Sequence, residues 1–120
     1  VERCQLIQRL VLNSICDDFE NVDQIILVDV TREGSGFGLA IKRSDIVDAL
    51  KELIENGLAK AYLLSGTSRD PFAGELPGMP PLDIVEEDFQ TYFYITKAGM
   101  DFHRADDTWW RLDGDVETPT

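Results

Sequence analysis

The residues able to do chemistry are few and poorly matched. His103 is the single histidine, with Asp101, Asp106 and Asp107 nearby in sequence. One imidazole with surface carboxylates lacks the three or four convergent donors of a transition-metal centre. It suits the end of a helix, where a cation meets the free carbonyls. Cys4 and Cys16 fall in one expected helix. Twelve residues of helix part them by roughly 18 Å, beyond the reach of a disulfide. They read as small core hydrophobes in a reducing compartment. A serine or cysteine nucleophile would have His103 alone as its base, with nothing visible to orient it. The expectation is a protein without catalytic activity, metal or cofactor.

The elements that could present these residues follow from periodicity. Glu2 to Phe19 reads as a helix with Leu6, Ile7, Leu10, Val11, Ser14 and Ile15 on one side. Asn21 to Gln24 fits a capping box. Ile25 to Val30 is open between helix and strand; the spacing of Val22, Ile26 and Val30 favours helix, the β-branched content strand. Gly34-Ser35-Gly36-Phe37-Gly38 is expected to be a loop, since glycine weakens either element. Leu39 to Ile41 is expected as a short strand. Ser44 is the expected cap of a helix whose apolar face is Ile46, Val47, Ala49, Leu50, Leu53 and Ile54. Gly57 should end it in the left-handed conformation, followed by the contact of Leu58. Ala59 to Leu64 and Gln90 to Ile95 read as strands around a long loop, Gly66 to Pro81, and the Phe72 to Leu82 stretch is either a stiff spacer or a docking loop. Thr96 should cap a last helix running to His103 or Arg104. Residues 1–105 form the expected domain, and 106–120 an acidic tail holding Trp109 and Trp110.

Bulk properties bound the rest. At 120 residues and 43% hydrophobic, one core is expected. No stretch approaches the roughly 20 apolar residues of a membrane span, and no leader peptide is visible. A cytoplasmic protein with no membrane role is expected. Acids outnumber bases 23 to 11, a net charge of -12, which repels polyanions and favours basic partners.

The order of elements predicts an α+β layer in which a small antiparallel sheet packs on helices. The stretch from Ile46 to Ala59 resembles the third helix of winged-helix regulators and its Asn-Gly-Leu turn into a wing strand. Tyr92-Phe93-Tyr94-Ile95-Thr96-Lys97-Ala98-Gly99 resembles the returning strand and the start of the next helix. The likeness covers Ser44 to His103 and is MarR-like or PadR-like in flavour. It implies a three-helix core with a wing hairpin and a C-terminal helix. It also implies DNA binding, with Lys42, Arg43, Lys51, Lys60 and Arg69 as the contacts. The chemistry departs from that pattern. With its apolar side inward, this helix turns Asp45, Asp48, Lys51, Glu52 and Glu55 outward. A specific binder neutralises roughly 6–10 phosphates, and the bases here are dispersed. Protein contact, through a homodimer or another protein, is therefore the leading expectation and DNA binding the alternative. Met100, Phe102, Trp109 and Trp110 are the candidate contacts, because aromatic side chains dominate interface hot spots. A third reading rests on Ile25 to Ile41, which resembles the opening of short-chain dehydrogenases and implies a nucleotide site at a helix N-terminus. Arg32 replaces the first glycine of that motif, and no later Tyr-x-x-x-Lys is present.

Overall fold

The structure, a computed structural model, describes residues 3–63, 74–80 and 91–105. Helix α1 (Arg3–Ile15) is central. Its buried set is Leu6, Ile7, Leu10, Val11, Leu12 and Ile15. Leu12 widens the stripe beyond the expected face because α2, α3, α4 and the sheet all pack on this helix. The helix stops four residues before Phe19. The chain has to straighten there: Glu20 forms a one-residue bridge to Phe93, with N–H···O bonds of 3.0 and 2.9 Å.

Asn21 then caps the next helix, its Oδ1 accepting from the N–H of Asp23 and of Gln24 at 3.0 and 3.1 Å. A π-helical turn, Val22–Ile26, runs directly into α2 (Leu27–Gly36). Val22, Ile26, Val30 and Gly34, four apart, are the buried line. The ambiguity at Ile25 to Val30 resolves as helix. Two expectations fail beside it. Gly34 to Gly36 continue the helix rather than a loop, because the Ile41 side chain fills the space where a Gly34 Cβ would stand. Among the described residues Leu39 to Ile41 is not a strand and pairs with no edge; Ile41 is spent on that contact. The helix ends at Gly38, φ 76°. Leu39 N–H bonds the Gly34 carbonyl and Gly38 N–H that of Ser35, a Schellman motif.

Helix α3 (Arg43–Glu55) is capped from Lys42, not from Ser44. The carboxylate of Asp45 reaches back to the Lys42 N–H at 2.9 Å, so Ser44 falls inside the first turn. Ile46, Ala49, Leu50 and Leu53 are buried, as the periodicity predicts. Gly57, φ 73°, ends the helix. Leu58 N–H bonds the Leu53 carbonyl at 2.9 Å.

The sheet is antiparallel in the order β2-β1-β3, from β1 (Ala59–Leu63), β2 (Gly74–Glu75) and β3 (Thr91–Ile95). β1 and β3 pair from Ala59↔Ile95 to Leu63↔Thr91. The segment expected to be loop from Gly66 to Pro81 thus contributes β2, which pairs at Tyr62↔Glu75, and Leu76 N–H extends it to the Ala61 carbonyl at 2.8 Å. Ala59, Ala61, Thr91, Phe93 and Ile95 face the core. On the other face Phe19 stacks on Tyr94 (4.7 Å) and meets Tyr62 edge-on (4.9 Å). Thr96 precedes α4 (Lys97–Ala105), and its Oγ1 accepts from Gly99 N–H at 3.0 Å. The architecture is α+β: four helices and a small three-stranded antiparallel sheet among the described residues. None of these helices is long and apolar enough to cross a membrane.

Candidate interaction surface on helix α3

The polar face of α3 is set by its apolar one. With Ile46, Leu50 and Leu53 buried, Asp48, Lys51, Glu52 and Glu55 are exposed. Asp45 is drawn inward. Arg3 of α1 approaches it at 3.1 and 3.4 Å and also donates to the Ala40 carbonyl at 2.9 Å. The Arg3 hydrogen bond holds the Asp45 carboxyl below its usual range, against the opposing effect of burial. Gln8 donates to Glu52 at 2.9 Å. Between α1 and α3 lies a groove of about 110 Å³, with Cys4 and Asp48 on its lining. It falls well short of the ~300 Å³ at which small-molecule sites begin. An open hollow of about 460 Å³ along Leu76 to Pro80 is lined by that one segment, which carries no titratable side chain.

The cations named for DNA are differently placed. Lys42 and Lys51 are exposed on α3 and just before it. Arg43 is bound by Asp23, with Nε at 2.7 Å and a second nitrogen at 3.2 Å from the two carboxylate oxygens. Lys60 is on the outer sheet face, paired with Glu75 at 2.8 Å. Arg69 lies outside the described residues. Of the candidate partner contacts, Met100 packs against the core and Phe102 is 43% exposed. Arg9 lies 3.9 Å above the Phe102 ring. Trp109 and Trp110 lie outside the described residues.

Cys4 is a correction, being exposed, whereas Cys16, just past α1, is half-buried and packs against the core. Burial, then Asp17, pushes the Cys16 thiol up. No group of three or more His, Cys, Asp or Glu is placed to hold a metal among the described residues. The helical path from Val22 to Gly36 also removes the apolar strand that a dinucleotide-binding turn must follow.

Sequence reading missed the partners of these charges. Arg3–Asp45 and Arg43–Asp23 are 42 and 20 residues apart, and charge carries no period from which such pairs could be read. It also missed a crowd of carboxylates beside the end of α1. Burial raises Glu20, helped by Asp18, Asp29 and Asp17. Burial also raises Glu33, opposed by a hydrogen bond from Asn13. A carboxyl raised on folding is held protonated more firmly by the folded chain. Stability from these two groups therefore grows as pH falls through their folded values, and it is least at neutral pH. Glu20→Gln and Glu33→Gln are expected to raise the melting temperature at neutral pH. The gain should be under about 1 kcal/mol, the ordinary ceiling for partly solvated charges, and should vanish in acid below the usual glutamate range. Melting curves across pH check it; a gain that persists in acid would show that charge is not the cause.

Comparison of the chain with protein-family models, with curated proteins and with solved structures gives no match.

Proposed function

We propose that this chain is a winged-helix domain that acts without catalysis, by contact with protein rather than by gripping nucleic acid. Support for the winged-helix reading is the order of parts. Three helices are followed by an antiparallel strand pair, and Glu20, between the first two helices, bridges to the returning strand. Fold alone does not assign a function. The observation that carries the functional reading is the disposition of charge. Arg3, Arg43 and Lys60 are each engaged by a carboxylate. Asp48, Glu52 and Glu55 face solvent on the helix that would enter a groove. A polyanion meeting that face gains few contacts and suffers repulsion across the width of α3. A basic protein surface meets complementary charge. A second copy is the other partner of this reading, met through Met100 and Phe102.

The test is fluorescence anisotropy with labelled duplex DNA at about 50 mM salt, where phosphate contacts are strongest, beside light scattering of the protein alone. A flat anisotropy trace with an oligomer in solution is the expected result. A rise that fades with added salt would overturn the reading in favour of DNA binding through Lys42, Arg43, Lys51, Lys60 and Arg69.

A further inference from the structure

Helix α4 is anchored unequally along its length. At its start, Thr96 N–H bonds the Leu58 carbonyl at 3.0 Å, and its hydroxyl donates to the Gly57 carbonyl at 2.6 Å. Gly99 lies so close to the Leu58 carbonyl that no Cβ fits between them. At the other end Phe102, Arg104 and Ala105 are exposed. That half rests on Arg9 of α1, which donates to the Phe102 carbonyl at 3.1 Å and covers the Phe102 ring. The nine residues described for this helix fall below the ~12–15 at which isolated helices become even marginal in water. The described C-terminal half is held to α1 through Arg9.

His103 follows Phe102 on this half, with its Nδ1 buried. Among the described residues Arg9 from α1, Arg104 from its own helix and Asp17 from the bend after α1 act on it by charge. β3, which also packs on α4, contributes only the phenols of Tyr92 and Tyr94 as titratable groups. We propose that α4 is an acid-operated latch: protonating His103, next in the chain to the carbonyl that Arg9 holds, releases the helix's C-terminal half from α1. The imidazolium would put a second cation next to the guanidinium that holds the helix down, in a place where Nδ1 has no access to water. Asp17 offsets part of this. Burial is the chief cause that lowers the His103 pKa, with Arg9 and Arg104 adding to it. The folded chain therefore binds this proton less readily than the unfolded one. The docked state is at full strength above the ordinary histidine value of about 6.5 and weakens as pH falls through and below it. Release would uncover Met100 and the side of the Phe102 ring that Arg9 covers, so acid would enlarge an apolar face.

Hydrogen exchange of the full chain tests this, with protection of the Asp101 to Ala105 amides corrected for intrinsic rate at about pH 7.5 and 5.5, either side of the imidazole range. The expected result is a severalfold fall in protection of these amides at the lower pH, while α1 amides hold steady. His103→Gln should abolish the fall. His103→Lys, permanently charged, should show the low value at both pH values. Equal protection of the wild type at both pH values would overturn the latch. So would a fall that survives in His103→Gln, which folds without needing the charge.

Discussion

Gly99→Ala should cost about 3 kcal/mol, the upper end of the range for overpacking a well-packed site. A Cβ at this position would overlap the Leu58 carbonyl oxygen and stand 2.7 Å from Ile95 Cγ1. A flexible neighbour could yield; this one is fixed. Leu58 donates to Leu53 and accepts from Thr96, so moving its peptide breaks either the end of α3 or the junction of β3 and α4. Gly36→Ala is the control. It lies in the last turn of α2 with nothing within 4 Å of the new methyl and no positive φ. Alanine there is expected to be neutral or stabilising by roughly 0.5–1 kcal/mol, the helical preference over glycine. Urea unfolding of both variants measures the contrast. Equal midpoints would mean that α4 and the turn after α3 do not meet as described.

This pair also shows what the sequence could convey. At Gly99 the setting itself is local: a glycine three residues after a capping Thr opens a helix behind a strand, where close approach favours glycine. At Gly34 and Gly36 it is not. Local propensity charges each glycine about 1 kcal/mol in a helix, and clustered glycines therefore read as loop. The side chain of Ile41, placed by the chain's return path, reverses the sign at Gly34. The repeats of Val22, Ile26 and Val30, and of Ile46, Ala49, Leu50 and Leu53, were plain because burial imposes a period. Leu39 to Ile41 had strand-like residues but, among the described residues, no edge to pair with, a fact external to the segment. Glu20 is a single residue of sheet and has no period at all. The surface of α3 was half legible. Its outward carboxylates follow from the inward apolar face, whereas the capture of Arg3 by Asp45 and of Arg43 by Asp23 depends on where α1 and the turn after Asn21 come to lie.

The same turn gives the second large effect. Asn21→Ala is expected to lower stability by about 2–3 kcal/mol. Asn21 is 1% exposed and joins two layers with one side chain. Its Oδ1 serves the N–H groups of Asp23 and Gln24, and its Nδ2 donates to the Thr91 carbonyl at 3.2 Å. Loss of an N-cap costs about 1–2 kcal/mol; loss of the strand link adds about 1 kcal/mol. Asn21→Ser separates the two. Serine caps a helix nearly as well as asparagine, but it is too short, and carries no amide, to reach β3. It should lose only the second part. A serine variant as stable as wild type would show that the Thr91 bond contributes nothing; one as weak as alanine would place the whole effect in that bond. The position matters beyond stability, because Asp23, two residues on, holds Arg43 at the start of α3. A chain that loses the cap lets Asp23 drift and loosens its hold on that guanidinium. Asn21→Ala should therefore bind heparin resin more tightly than wild type while still folded at low temperature, and Asn21→Ser should not.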